Sequence, residues 1–312
     1  MNQNLFLQNK KINDKITFIG KIISLNKGEH FCNIDFLLME NFNVNIKIDS
    51  VFDIPQKDKL YVFETAYQQN KNNKNVLICL KYSLIENNLN LEQIYHCYNH
   101  FFTCTNIPFH VIDQQITNFL SNIKNPIFKK ITQNIYSKYK INFLISPAAC
   151  KMHHAYYGGL SHHTLSILKI SNHYLELYPF LNKDLLQCGI ILHDMAKIQE
   201  FTFETKSYTK QGVLLGHLIL GVNNIHEEAL LLGFQDKEEI LLLKHLIIAH
   251  HGLLQYGAFK EPQIGEALLL WYLDDLDAKL NTLKEEIEKT EKGKFTENLP
   301  VIKGKSFYKP DL

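Results

Sequence analysis

Apolar and polar residues alternate along the first part of the chain. The clearest run, residues 42–48, reads FNVNIKI, in which every second residue is apolar. This period of two is typical of a strand with one buried face. Similar runs cover residues 15–25, 31–39, 59–67 and 75–83. Five short strands separated by polar turns predict a small β-barrel or sandwich, and five is the strand number of the OB-fold.

The spacing of apolar residues becomes helical after residue 88. The segments LNLEQIYHCYNHFF and FHVIDQQITNFLSNI place apolar residues three and four positions apart, and this pattern continues to about residue 289. The last stretch has no periodicity. We therefore predict a two-domain α+β protein. A five-stranded OB-type β-barrel spans residues 1–88, an all-α helical bundle spans 89–289, and a C-terminal arm spans 290–312.

Composition narrows the class of protein. The 312 residues are 46% hydrophobic and 21% charged with a net charge of +1, which is typical of a globular chain without a global basic field. No arginine is present, so any phosphate must be held by lysine, metal or backbone amides. The six cysteines show no C-x-x-C spacing. No apolar run reaches membrane-spanning length, and no leader-like segment is evident. We expect a cytoplasmic protein with no membrane partner.

The histidines are concentrated in the predicted helices, with 11 of 15 between residues 153 and 251. Four ligand-type residues continue apolar stripes at helical spacing and so face the interior: His163, His193, His250 and Asp274. One such histidine is usually a hydrogen-bonded core residue, but a buried carboxylate is costly without a cation. Together they predict a metal site of the kind built inside helical bundles. Nitrogen and oxygen donors without thiolate favour manganese, iron, cobalt or magnesium over structural zinc.

Several motifs in this region resemble those of a known superfamily. The segment ILHDMAK resembles the H-D-x-x-K element of the HD phosphohydrolases, and LLGHLILG and AHHG resemble its two-metal form. More specifically, HHAYYGGLSHHTLSI, GIILHDMAKI, IAHHGLLQYG and YLDDLDAKLN resemble the YhaM family of bacterial 3'-to-5' exoribonucleases. Members of that family carry an OB-fold ahead of an HD domain. The resemblance runs from about residue 13 to FYKP near the C-terminus, although Met195 and Ala196 replace a bulky aliphatic residue and a glycine common there.

The resemblance implies metal-dependent hydrolysis of single-stranded RNA, from the 3' end, to nucleoside 5'-monophosphates. The implied metal ligands are His163, His193, Asp194, His217, His250, His251 and Asp274. They would hold two divalent ions, with manganese expected and cobalt, iron or magnesium as alternatives. Asp194 would bridge the ions and Lys197 would bind a phosphate oxygen, which makes these two the expected catalytic residues.

The segment before the first helix histidine is expected to contact substrate. Gly158 and Gly159 would let the backbone approach the substrate and start the helix, with Ser161 as its N-cap. His154 is the substrate-contacting residue expected in this segment. His162 is expected to point away from the centre.

The barrel is expected to hold the strand, because OB-folds stack bases on aromatic side chains. The aromatic candidates are Phe18, Phe31, Phe36, Tyr61 and Phe63, of which Phe18, Phe31 and Phe36 are the expected substrate-binding residues. Single-stranded DNA is a second expected ligand beside RNA, and a homo-oligomer remains open.

Two other functions fit parts of the sequence. An HD-type nucleotide phosphohydrolase or cyclic-dinucleotide phosphodiesterase would use the same ligands, but the barrel favours a polymer, and GLLQYG replaces the GYP typical of the cyclic-dinucleotide enzymes after His251. A non-catalytic single-strand-binding adaptor is disfavoured, because a scaffold has no need of seven metal-ligand residues.

Overall fold

The computed structural model describes most of the chain. The described residues are 7, 10–28, 31–49, 52–70, 74–149, 156–202 and 207–312. The chain forms two compact units, Met1–Thr103 and Cys104–Leu312. Among the described residues, no helix combines the length and the apolar character needed to cross a membrane.

The first unit contains the five predicted strands, each within a few residues of its expected bounds. They are β1 (Lys15–Lys27), β2 (Phe31–Leu38), β3 (Asn43–Asp49), β4 (Leu60–Gln69) and β5 (Asn75–Leu84). Each strand pairs with two others, in the order β1-β2-β3-β5-β4, and the β1–β4 pairing closes the barrel. Strands β3 and β5 pair in parallel through Ile46↔Leu77 and Lys47↔Ile78. The predicted OB-type barrel is confirmed as a closed five-stranded barrel.

Alternation along the strands fills the barrel with apolar side chains. Phe36 and Phe63 are fully buried, and their ring centroids lie 4.9 Å apart in an edge-on arrangement. The expectation that Phe18, Phe36, Tyr61 and Phe63 contact substrate is therefore corrected. Their side chains are at most 4% exposed within the barrel core, and an enclosed ring cannot stack on a base.

Helix α1 (Leu91–Phe101) belongs to the first compact unit. Its N-terminus carries a capping box, in which Asn90 accepts from the Gln93 amide and the Gln93 side chain accepts from the Asn90 amide. Ile94 and Tyr98 are buried, and the Tyr98 hydroxyl donates to Glu86 at the end of the barrel. The compact unit therefore extends past residue 88, where the predicted OB-fold domain ends. The division into functional domains at residues 88/89 stays a prediction.

The second unit is built from helices, as predicted. They are α2 (Phe109–Asn122), α3 (Pro126–Ile145), α4 (Gly159–Leu177), α5 (Lys183–Leu192), α6 (Lys197–Glu200), α7 (Lys210–Leu232), α8 (Glu238–Ala249) and α9 (Gly265–Lys289). Two short strands, β6 (Phe201–Thr202) and β7 (Ser207–Tyr208), pair between α6 and α7. After α9 the chain folds back on itself through the bridge Phe295↔Tyr308.

The double glycine places the start of α4. Gly158 is the N-cap residue with φ 79°, and a Cβ there would lie 2.6 Å from the Thr105 Cγ2 atom. Only glycine fits this left-handed position against a neighbouring side chain. The predicted N-cap role of Ser161 is wrong, because its hydroxyl lies within the helix and donates to the Leu144 carbonyl at 3.1 Å.

We predict that Phe36→Ala lowers the free energy of unfolding of the barrel by about 3–5 kcal/mol, because it removes a fully buried ring. Phe31→Ala is the matched control. Its ring is 42% exposed, so the change should stay within about 0.5 kcal/mol. Native-state hydrogen exchange of barrel amides measures both, since the single tryptophan, Trp271, lies in the other unit. Equal effects of the two substitutions would contradict the placement of Phe36.

Candidate metal centre

Two of the predicted ligands lie where helices end. His193 follows α5 and His250 follows α8, each as the C-cap residue. The ring Nδ1 of each donates to the carbonyl three residues earlier, at 2.7 Å for Ile190 and 2.8 Å for Ile247. A histidine in this position satisfies one of the carbonyls left open at a helix terminus. Both rings are thereby fixed with Nε2 as the atom left to bind a ligand.

Two further histidines are held by buried carboxylates. His163 Nδ1 lies 2.7 Å from Asp277 Oδ2, and His217 Nδ1 lies 2.9 Å from Glu200 Oε2. A carboxylate oxygen that accepts from Nδ1 places the proton there and leaves Nε2 as the metal-binding atom. All four rings therefore present the same nitrogen.

The first group of ligand atoms joins α4, the end of α5 and α9. Its members are His163, His193, Asp194 and Asp274, and one ligand atom from each lies within 4.8 Å of the others. His163 Nε2 lies 3.0 Å from Asp274 Oδ1, and His193 Nε2 lies 3.4 Å from Asp194 Oδ2. Imidazole and carboxylate at these separations can hold one divalent ion.

The second group consists of His217, His250 and His251, whose ligand atoms also lie within 4.8 Å of one another. The other oxygen of Asp194 faces this group. Its Oδ1 lies 3.5 Å from His217 Nε2 and 3.6 Å from His250 Nε2. Asp194 thus offers one oxygen to each group.

The polar atoms of this interior fit a cation. Within the described residues, five buried ligand atoms have no hydrogen-bond partner: His193 Nε2, Asp194 Oδ1, His217 Nε2, His250 Nε2 and His251 Nδ1. An unpartnered buried polar atom costs about 1–3 kcal/mol, and buried polar groups are almost always satisfied in folded proteins. Divalent ions bound by both groups would satisfy all five.

The charges of the interior are strongly shifted. Burial opposes a charge on His163, but its hydrogen bonds to Asp274 and Asp277 outweigh burial and raise its pKa to about 10. Burial, followed by the neighbouring His250 and His217 rings, lowers the pKa of His251 to about 3. The two groups therefore differ in protonation. His163 in the first group holds a proton between two carboxylates, whereas His251 in the second group is a neutral ring.

Lys197 lies beside the shared carboxylate. Its Nζ is 2.6 Å from Asp194 Oδ2. Burial alone would raise the pKa of Asp194, but the charge of Lys197 and the neighbouring His193 ring outweigh it and hold that pKa well below its usual range. The ammonium is part of the centre rather than a solvated helix-end charge.

The structure brings all seven predicted ligands and Lys197 into one interior. Of the substrate-contacting residues, His154 lies outside the described residues, and Phe31 is exposed on the barrel, where its role stays a prediction. His162 points away, as expected, with Nδ1 within 3.1 Å of Thr105 Oγ1.

Sequence reasoning missed Asp277 and Glu200, the two carboxylates that hold ligand rings. For Asp277 a signal was present, because it follows Asp274 by three positions and so shares its helix face.

Comparison with known proteins agrees with this geometry. Residues 160–279 match the family model described as HD domain. All seven predicted ligands lie inside this match.

The chain is also similar to proteins named 3'-5' exoribonuclease YhaM. It is 40% identical over 198 residues to that of Geobacillus sp. (strain WCH70), covering 63% of this chain and 61% of the relative. It is 40% identical over 205 residues to that of Bacillus pumilus (strain SAFR-032), and 39% identical over 205 residues to that of Bacillus subtilis (strain 168). Each of these two matches covers 65% of both chains, so the chain spans less than two thirds of the relatives' length.

We predict that Asp194→Asn weakens divalent-ion binding by at least about 100-fold, beyond the tenfold to hundredfold typical of residues that only orient a ligand. Asp275→Asn is the matched control. Asp275 follows the predicted ligand Asp274 in sequence, but its carboxylate contacts Lys279 on the surface of α9. Equilibrium dialysis against MnCl₂, followed by inductively coupled plasma mass spectrometry, measures the bound metal. Equal metal content in the two variants would show that Asp194 is not a ligand.

Proposed function

We propose that this chain is a metal-dependent 3'-to-5' exoribonuclease that releases nucleoside 5'-monophosphates from single-stranded RNA. The observation that carries the proposal is the pair of ligand groups sharing Asp194. The similarity to proteins named 3'-5' exoribonuclease YhaM supplies the substrate class and the direction of digestion.

The centre would hold two divalent ions, one in each ligand group. The seven ligands offer only imidazole and carboxylate atoms, which favours manganese, with cobalt, iron and magnesium as alternatives. Such ions, when bound, supply an activated water and neutralise charge on a phosphodiester.

The chain's own residues would orient the substrate. Lys197, held against Asp194 at 2.6 Å, offers an ammonium to a non-bridging phosphate oxygen beside the ligand groups. This role matters in a chain without arginine, because lysine is the only other side chain with a permanent positive charge at neutral pH.

The barrel would bind the strand ahead of the scissile bond. Its fold is one that binds single strands through exposed aromatics beside lysines. Phe31 is the retained candidate, because its ring is 42% exposed. Single-stranded DNA stays a second candidate ligand.

The purified protein with MnCl₂ should shorten a 5'-labelled single-stranded RNA with a free 3'-hydroxyl into a descending ladder. Denaturing gels measure the ladder, and chromatography identifies the nucleoside 5'-monophosphates. Asp194→Asn is the negative control for a contaminating nuclease. Inert RNA combined with rapid turnover of free nucleotides would contradict the proposal and favour a nucleotide phosphohydrolase.

Lys197→Met should lower kcat/KM by about 10²–10³-fold, because the phosphate loses a buried cationic partner. Lys279→Met is the control, since Lys279 pairs with Asp275 at a more exposed position. Steady-state rates on the same RNA measure the effect, with metal content checked in parallel. An unchanged rate for Lys197→Met would remove this residue from substrate binding.

A further inference from the structure

Both carboxylate oxygens of Glu200 accept hydrogen bonds from one residue, His217. Oε2 lies 2.9 Å from the ring Nδ1, and Oε1 accepts from the His217 backbone amide at 3.2 Å. The side chain is buried, at 7% exposed. A carboxylate has acceptor sites and no donor, so it matches two donors of one residue.

A break in α7 makes the backbone donor of His217 available. Gly216 has φ 70° and ψ 164°, which is far from helical and which residues other than glycine rarely adopt. In an unbroken helix the His217 amide would bond to the carbonyl four residues earlier. At this break it turns to Glu200 instead, so Gly216 and Glu200 act together.

The backbone of Glu200 is itself fixed against the start of α7. Its carbonyl accepts from the Thr209 amide at 2.9 Å. A Cβ added to Gly212 would lie 2.1 Å from the same carbonyl oxygen, so the two backbones are in close contact. This contact leaves the carboxylate little freedom to move away from His217.

The hydrogen bonds between Glu200 and His217 fix a residue of the second ligand group. In the first group, His163 is held by Asp277, and His193 by the Ile190 carbonyl. In the second group, His250 is held by the Ile247 carbonyl. Glu200 holds the ring of a ligand in the second group, whereas the His163 and His193 rings of the first group are held by other partners.

We propose that Glu200 is a positioning residue for the second ion. It fixes the Nδ1–H tautomer of His217, which leaves Nε2 free to bind metal, and it does so independently of the first group. The proposal rests on the metal centre of the proposed function, but it concerns which of the two ions depends on Glu200.

Glu200→Gln tests the proposal with almost no change in volume. A glutamine side chain offers one accepting oxygen and one donating amide group in place of two acceptors. One of the two donors of His217 would then face another donor. The backbone amide cannot change, but the ring can move its proton to Nε2, where it blocks metal binding.

The first measurement is the ring tautomer, read from long-range ¹H–¹⁵N spectra of the metal-free protein at mildly alkaline pH. Wild-type His217 should show the Nδ1–H form, and Glu200→Gln should show the Nε2–H form. Glu228→Gln is the matched control, because this α7 carboxylate accepts from Asn134 at 2.6 Å and a glutamine oxygen can still do so. An Nε2–H form in the wild-type protein would overturn the proposal whether or not the variant folds.

The second measurement is Mn²⁺ binding, followed through the electron paramagnetic resonance of the free ion. Glu200→Gln should weaken one of two binding events by about 10–100-fold and leave the other within about threefold. Asp277→Asn should weaken the other event. Equal loss of both ions in Glu200→Gln, or loss of neither, would overturn the proposal.

These results are separable from the proposed function. If the tautomer and the selective ion loss are found but RNA is inert, Glu200 keeps its role and the ribonuclease proposal fails. If RNA is degraded but both ions bind Glu200→Gln normally, the ribonuclease proposal stands and the role of Glu200 fails.

Discussion

The second compact unit depends on one constraint, which is the burial of imidazole and carboxylate atoms that the surrounding protein does not satisfy. Asp194 lies at the centre, with one oxygen toward each ligand group. Within the described residues, five buried ligand atoms around it have no hydrogen-bond partner. Such an arrangement is unfavourable for folding on its own terms, because each desolvated atom loses its bonds to water. It becomes favourable when cations occupy the interior.

The helices are arranged to present these atoms and to satisfy the other nitrogen of four of the histidine rings. His193 and His250 each end a helix and bond a carbonyl of its last turn. His163 and His217 instead donate to Asp277 and to Glu200 respectively. In each ring Nδ1 makes this hydrogen bond and Nε2 is left to bind a metal, so the same side chain serves both the local structure and the centre.

The sequence was sufficient for the elements, because alternation marked the five strands and helical spacing marked the helices. Helical spacing also predicted that His163, His193, His250 and Asp274 face inward, whereas the other three predicted ligands came from the family resemblance. Periodicity could not reveal Glu200, since its contact with His217 depends on a helix break at Gly216 and on a close approach of α6 to α7. It also misplaced Phe18 and Phe36, because alternation separates the two faces of a strand without showing which face a barrel encloses.

A crystal structure of the protein grown with MnCl₂, with diffraction collected at the manganese absorption edge, tests the central claim most directly. Two anomalous peaks on opposite sides of the Asp194 carboxylate are expected, one beside His163, His193 and Asp274 and one beside His217, His250 and His251. A fully loaded crystal with no anomalous peak at Asp194, or with manganese bound only elsewhere, would contradict the account.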